Sequence, residues 1–113
     1  MGGSSLEILK GTLEILILKT LSRVPNHGYG IARSLRETSA DAFQVEEGAL
    51  YPALRRMEKK GLLFSDWDTT DTGREAKFYR LSAEGEVELM AAEEGWARYV
   101  AAMGFVLDGG PRG

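Results

Sequence analysis

The chain has 113 residues and a mass of 12.4 kDa, which predicts a single domain. Hydrophobic residues form 43% and charged residues 27% of the chain, as in ordinary globular proteins, and no apolar run approaches the roughly 20 residues that span a bilayer. Cysteine is absent and His27 is the single histidine, so disulfides are excluded and neither a metal nor another cofactor is expected. The lack of a signal-peptide pattern predicts a cytoplasmic protein with no membrane partner.

The net charge of −3 disfavours nucleic acid as a partner, but the charges are spread unevenly along the chain. The net charge is +1 over residues 1–45, zero over 46–82 and −4 over 83–113. Basic residues cluster twice in the middle part, so local charge matters more than the total. The clusters comprise Arg55, Arg56, Lys59 and Lys60, and then Arg74, Lys77 and Arg80.

Three helices are predicted in the first half of the chain. Apolar residues at helical spacing predict the first helix over residues 6–23, with a stable helical conformation expected from Gly11 onward. After a break, a second helix is predicted over 28–38 and a third over 46–60. Gly61 is expected to end the third helix in a left-handed cap.

The hydrophobic period then changes from helical to alternating, which predicts a β-hairpin. Its strands are placed over residues 62–68 and 75–81, and Trp67 is expected to lie in the core. Ser82 is expected to cap a last helix that runs to about Leu107.

Helix, helix, helix, hairpin and long helix is the order of a winged helix-turn-helix with an appended C-terminal helix. The predicted fold is therefore mainly α with a small β-hairpin. The chain divides into a flexible lead (1–5), a winged-helix DNA-binding domain (6–82), a C-terminal dimerisation helix (83–107) and a flexible tail (108–113).

The third helix and the hairpin carry the strongest functional signal. With its leucines turned inward, the helix presents Tyr51, Arg55 and Lys59 in an outer row at i, i+4 spacing. Such a row suits a major groove, where a guanidinium reaches base acceptors and a phenol reaches phosphates. Arg74 and Lys77 lie at and just after the hairpin tip, where a wing touches phosphates. The alternative is that these are solvated charges on an amphipathic helix, but the order of elements favours nucleic acid.

Several stretches of the chain resemble the PadR family of bacterial transcriptional regulators. Residues 27–31 (HGYGI) and 47–62 (EGALYPALRRMEKKGL) carry most of the resemblance. The wing stretch 73–85 (GREAKFYRLSAEG) and residues 10–14 (KGTLE) are similar to that family as well, so the resemblance covers roughly residues 10–89.

This resemblance implies a dimeric winged-helix repressor that binds double-stranded DNA. Two departures from the family pattern predict weaker or more salt-sensitive binding: Glu46 is a poor helix cap, and the wing tip is less rich in arginine. Pro52 is expected to loosen or kink the first turn of the third helix. The DNA-contacting positions of the family correspond here to Tyr29, Ala49, Tyr51, Arg55, Gly73, Arg74 and Lys77.

Apolar residues of the last helix recur at alternating spacings of three and four, which predicts a seam between two copies of the chain. The alternative is a face packed within its own domain. The resemblance implies that Trp96 and Tyr99 line a pocket for a small aromatic or hydrophobic effector, whereas the simpler interpretation makes Trp96 a packed interface residue. The seam comprises Leu89, Ala92, Trp96, Tyr99, Met103 and Val106.

The sequence thus predicts a homodimeric repressor at a pseudo-palindromic operator. Catalysis is not expected, because the carboxylates lie on a solvated helix face and the serines lack a histidine base. His27 is interpreted as a turn residue near the second helix rather than a pH sensor. The alternative function is a winged-helix dimer that binds proteins and no DNA, which the acidic total charge favours.

Overall fold

The computed structural model describes residues 6–110, so the predicted lead and the last three residues of the predicted tail lie outside the described residues. The order of elements confirms the predicted winged helix with an appended helix. A short additional strand, β1, was not predicted. The elements are α1 (Leu13–Arg23), β1 (Asn26–His27), α2 (Gly28–Thr38), α3 (Glu47–Lys59), β2 (Leu63–Thr69), β3 (Glu75–Leu81) and α4 (Ala83–Leu107).

The first helix begins at Leu13, so the prediction of a helix from Leu6 is wrong. Gly11 adopts a left-handed φ of +88°, which interrupts a right-handed helix, and Thr12 becomes the N-cap. The segment before it is tied to the connection between α2 and α3, since the Leu6 N–H donates to the Ala42 carbonyl at 2.8 Å.

The third helix ends as the sequence predicts. Gly61 has a φ of +81°, and its N–H donates to the Glu58 carbonyl at 3.0 Å. The Leu62 N–H donates to the Met57 carbonyl at 3.0 Å, which completes a Schellman motif. At the other end Glu46 makes no side-chain capping bond, in line with its expected weakness as a cap.

The core lies between the first three helices and the base of the sheet. The sheet is antiparallel with the order β1-β3-β2, and its longer hairpin pairs Leu63 with Leu81 at the base and Thr69 with Glu75 near the tip. Because the helices pack only on the base, the tip projects as a wing. The largest fully buried side chains are Ile17, Leu18, Ile31, Leu50, Leu54 and Met57.

The start of α4 is bonded to the base of the wing. The Ser82 hydroxyl oxygen accepts from the Gly85 N–H at 3.0 Å and caps the helix, as predicted. The same hydroxyl donates to the Gly61 carbonyl at 2.5 Å, and the Ser82 N–H donates to the Leu62 carbonyl at 3.0 Å. A Cβ at Gly85 would overlap the Leu62 carbonyl oxygen, so this close approach requires glycine.

Beyond its first turns α4 leaves the domain. Leu89 is buried in the domain's own core, and Lys19 Nζ of α1 lies 2.9 Å from Glu93 Oε2. This corrects the predicted seam at its first position, because Leu89 already packs within its own domain where α4 still lies against α1. After Leu89 no described residue of α4 is buried, and the long axis of the molecule reaches 59 Å.

We expect Gly85→Ala to lower the free energy of unfolding by roughly 1–3 kcal/mol, because the added methyl must push α4 off a backbone carbonyl. Gly48→Ala is the matched control, since a Cβ at Gly48 of α3 meets no atom within 4 Å. Urea unfolding at one fixed protein concentration measures both variants. Equal stability of the two variants would contradict the role assigned to Gly85.

Candidate nucleic-acid interface

An open cleft of about 1150 Å³ lies between the start of α2, the outer side of α3 and the wing. The recognition helix of a winged-helix protein forms one wall of such a cleft and the hairpin forms another, a shape that can hold the edge of a duplex. Five of the eight residues predicted to contact DNA line this cleft: Tyr29, Tyr51, Arg55, Arg74 and Lys77.

The other three predicted residues lie outside the cleft lining. Ala49 is exposed on the first turn of α3, and Lys59 is exposed at its last turn. Gly73 lies in the wing turn with a φ of +85°, a conformation that glycine adopts without strain. Its part is to shape the wing tip, where its N–H donates to the Thr70 carbonyl at 2.9 Å.

Tyr51 is held in the cleft by the start of α2. A Cβ at Gly28 would come within 2.6 Å of the Tyr51 ring and hydroxyl, so the phenol rests directly on the Gly28 backbone. The missing side chain therefore sets the position of the phenol. Pro52 follows inside α3, and the helix continues through it despite the missing N–H.

His27 caps the N-terminus of α2, which agrees with its interpretation as a turn residue. Its Nδ1 accepts from the Gly30 N–H at 3.1 Å. The imidazole lies parallel to the Tyr29 ring with centroids 6.4 Å apart, and it meets the Phe78 ring edge-on at 5.1 Å. These contacts tie the start of α2 to β3 and place Tyr29 at the cleft.

The predicted basic cluster on α3 divides between two sides of the helix. Arg56 Nε and Lys60 Nζ each lie 3.6 Å from the Glu14 carboxylate of α1. Arg55 and Arg74 are exposed and form no salt bridge within the described residues. These two guanidinium groups are therefore the cations of the cleft that are most available to a ligand.

Lys77 is the more constrained of the two predicted wing cations. Its Nζ lies 3.8 Å from Glu58 Oε1 and 6.0 Å from the centre of the Tyr79 ring. Glu58 also accepts a bond from the Ser65 hydroxyl at 2.7 Å, so the carboxylate joins α3 to both wing strands. A phosphate near Lys77 would have to compete with Glu58.

The structure adds residues to the cleft that sequence reasoning missed. Trp67 was predicted to lie in the core, which is wrong, because its side chain is 69% exposed and lines the cleft. Its alternation with the buried Leu63 correctly indicated its face of β2 but not its distance from the core. The further lining residues that can donate hydrogen bonds include Asn26, Arg33, Thr70 and Thr72.

The charge of the cleft is balanced. Its four cations, which include Arg33, are matched by four carboxylates. One of these pairs is internal, since Arg33 Nε lies 3.1 Å from Glu37 Oε2. Of the two predicted effects, weaker binding and more salt-sensitive binding, this balance favours weaker binding, because fewer cations are left to neutralise phosphates. The carboxylates lining the cleft are Glu37, Glu47, Asp71 and Glu75.

Tyr79 forms part of the cleft floor and is 4% exposed. Burial raises the pKa of its hydroxyl above the ordinary value of about 10, and the neighbouring Glu58 and Tyr51 raise it further. Arg55 acts in the opposite direction, because a cation favours the phenolate. Tyr79 is therefore a neutral hydroxyl in the physiological range.

The predicted effector residues lie apart from the cleft, on the projecting part of α4. Trp96 and Tyr99 stack with ring centroids 5.8 Å apart and an angle of 26° between the rings. Both are exposed, as are Met103 and Val106. Ala92, nearer to the domain, is half-buried. The seam from Trp96 onward is thus uncovered in a single chain.

Known proteins share the fold of this chain. Residues 17–91 match the sequence model of the transcriptional regulator PadR-like family. The chain belongs to the PadR-like family. A PadR-family transcription regulator of Clostridium difficile is 33% identical, with a TM-score of 0.75 over 86% of this chain and 99% of that one.

Two further similar proteins are transcriptional regulators. A PadR-like transcriptional regulator of Bacillus cereus is 29% identical, with a TM-score of 0.77 over 89% of this chain and 96% of that one. A transcriptional regulator of Mycobacterium tuberculosis is 39% identical over 54 residues, which cover 48% of this chain and 50% of that protein.

Family membership and these similar proteins support a DNA-binding transcription regulator. Among residues 6–110 of this PadR-like chain, no helix is long and apolar enough to cross a membrane. The cleft, with its recognition-helix and wing residues, is accordingly the candidate DNA interface.

Replacing Tyr79 by Phe should remove a loss of stability at high pH. A hydroxyl with a raised pKa in the folded chain loses its proton first in the unfolded chain. The free energy of unfolding of the parent protein should therefore fall above pH ~10, by up to about 1.4 kcal/mol per pH unit until the folded-state pKa of Tyr79 is reached. This contribution should be absent in Tyr79→Phe.

Urea unfolding of the PadR-like protein and Tyr79→Phe from pH 7 to 11 measures this difference. The exposed Tyr29→Phe is the matched control and should follow the parent protein. If Tyr79→Phe loses stability above pH 10 as steeply as the parent, the environment assigned to Tyr79 is wrong.

Proposed function

We propose that the protein is a homodimeric repressor that binds a pseudo-palindromic operator, with α3 in the major groove and the wing on flanking phosphates. The observation that carries this proposal is the cleft in which Tyr51 and Arg55 of α3 face Arg74 and Lys77 of the wing. The major groove presents base acceptors between two rows of phosphates, so the α3 side chains can reach bases while the wing cations reach phosphates.

The roles of the four side chains follow from their surroundings. Arg55 is exposed and free of salt bridges within the described residues, so its guanidinium can reach base edges such as guanine O6 and N7. Tyr51 is braced on Gly28 and donates to a phosphate from a fixed position. Arg74 and Lys77 neutralise phosphates beside the groove.

Dimerisation would use the projecting part of α4. Trp96, Tyr99, Met103 and Val106 are each at least 41% exposed, and a second copy of the same helix can cover them. Two-fold symmetry then places two recognition helices in successive major grooves, ~34 Å apart along the duplex.

Release of DNA would depend on the same helices. The start of α4 is bonded to the base of the wing through Ser82 and Gly85, so a change in the angle between paired α4 helices moves the two α3 helices relative to each other. A small aromatic compound between the exposed Trp96–Tyr99 stacks of two subunits would cause such a change. The repressor blocks transcription sterically while it is bound.

Alanine variants of three arginines should separate base reading from phosphate binding. Arg55→Ala should weaken binding to the promoter duplex of the regulator's own gene by about 1–3 kcal/mol and relax its sequence preference. Arg74→Ala should weaken binding to all DNA sequences similarly. It should also reduce the salt slope, the slope of log affinity against log salt concentration, by about one unit. Fluorescence anisotropy with the labelled promoter duplex and a scrambled duplex, at several salt concentrations, measures both effects.

Arg56→Ala is the matched control for Arg55→Ala. It removes an arginine one position further along α3 that faces Glu14 instead of the cleft, so DNA affinity should stay within about twofold of the parent. Promoter preference of roughly a thousandfold is expected for a specific regulator. Weak binding that is equal for both duplexes and insensitive to all three variants would favour the protein-interaction alternative.

Met103→Glu should separate the dimer, because it buries carboxylates in the proposed apolar seam. Sedimentation velocity is expected to show a dimer for the parent and a monomer for this variant. In a Trp67→Phe background, where Trp96 is the remaining tryptophan, aromatic compounds should quench fluorescence of the dimer but not of Met103→Glu. A monomeric parent would refute the seam, and unchanged Trp96 fluorescence at saturating compound would refute the pocket for those compounds.

A further inference from the structure

Trp67 is an exposed aromatic side chain at the candidate interface. Its indole is 69% exposed although it lies on a strand, and it lines the cleft with the wing cations. Tryptophan combines a large apolar surface with an N–H donor, and it is enriched at interfaces for that reason.

The register of the hairpin explains the exposure. Leu63, Ser65 and Trp67 share one face of β2 and stand opposite Leu81, Tyr79 and Lys77 of β3, respectively. Along this face the β2 residue is buried at the base, half-buried in the middle and exposed towards the tip. The face that packs on the core at the base therefore becomes the inner wall of the cleft nearer the tip.

We propose that Trp67 contacts DNA, with its indole against the deoxyribose and phosphate edge of the duplex held in the cleft. This proposal rests on the proposed function and adds an apolar contact to it. The neighbouring Thr70, Thr72, Arg74 and Lys77 supply hydroxyl and cationic donors, the chemistry that phosphates require.

The duplex is the occupant that this setting favours. The opposite wall of the cleft carries Arg55, so a polyanion with an apolar sugar edge matches both walls. A purely apolar partner would cover Arg55 and Arg74, which form no salt bridge within the described residues, without supplying a counter-charge. The indole ring covers sugar carbons, and its Nε1–H can donate to a phosphate oxygen.

Phe64 provides a matched comparison within the same strand. It is 48% exposed on the opposite face of β2, where the Arg80 guanidinium lies 5.5 Å from its ring centre, and it does not line the cleft. Its loss removes a similar exposed aromatic surface from the wing without touching the proposed contact.

The first experiment compares Trp67→Ala with Phe64→Ala by anisotropy with the labelled promoter duplex over a range of salt concentrations. Burial of about 60 Å² of indole surface corresponds to about tenfold in affinity, so Trp67→Ala should bind about tenfold more weakly. Its salt slope should equal that of the parent, because no charge is lost. Phe64→Ala should stay within about twofold.

Trp67→Ala binding as tightly as the parent would overturn the proposal, as would an equal loss in Phe64→Ala. Circular dichroism and urea unfolding establish that both variants remain folded. If Trp67→Ala unfolds, Trp67→Phe takes its place, with the expectation of a smaller loss of affinity at an unchanged salt slope.

The second experiment observes the indole directly. The full chain labelled with 5-fluorotryptophan gives one ¹⁹F resonance for each of its two tryptophans, and the spectrum of Trp67→Phe assigns them. The Trp67 resonance of the free protein should show the H₂O/D₂O shift of an exposed ring, and the promoter duplex should reduce that shift. A Trp67 ring that is already shielded in the free protein, or that stays exposed when the duplex is bound, would overturn the proposal.

These outcomes separate the two proposals. If anisotropy shows duplex binding while Trp67 stays exposed and dispensable, the wing contact is wrong and the DNA-binding function stands. If the parent binds no duplex, the proposed function fails and the Trp67 contact fails with it.

Discussion

The structure depends on a small junction where α3, the wing and α4 share consecutive peptide groups. Gly61 and Leu62 end α3 in a Schellman motif and lead directly into β2. The carbonyls of the same two residues accept bonds from Ser82, the cap of α4. The absent side chain of Gly85 lets α4 approach them. These contacts to two backbone carbonyls at the end of α3 therefore set the direction of α4 relative to α3.

This junction connects the cleft to the uncovered part of α4. The cleft lies on one side of the junction and the uncovered part of α4 on the other. In the proposed dimer, a change in the pairing of α4 at Trp96 would be transmitted to α3 through the bonds of Ser82 at the start of α4. This geometry suits a regulator in which the separation of two recognition helices decides affinity, since half-site spacing on a duplex is fixed.

The cleft itself shows that the distribution of charge matters more than its sum. Four cations and four carboxylates line it, yet two of its three exposed arginines, Arg55 and Arg74, are free of salt bridges within the described residues. Glu14 draws Arg56 and Lys60 to the side of α1, and Glu58 restrains Lys77. In the proposed complex with DNA, apolar and hydroxyl groups would therefore carry a larger share of the contact than they would in a strongly basic cleft.

The sequence by itself determined the order of the four helices and the hairpin, and it identified five of the residues that line the cleft. Helical spacing placed Leu50, Leu54 and Met57 in the core, so Tyr51 and Arg55 had to face outward, and the left-handed cap at Gly61 followed from the glycine. These features are local, because the helix period and backbone sterics fix them within a few residues.

Only the tertiary structure decided the features that depend on distance from the core. Alternation put Trp67 on the correct face of β2, but the face leaves the core before the strand ends. Leu89 fits the spacing of the seam and is nevertheless buried in its own domain, because α4 still lies against α1 at that point. The two-residue strand β1 exists because β3 offers it an edge. Periodicity assigns a side chain to a face, whereas the packing of distant segments decides what covers that face.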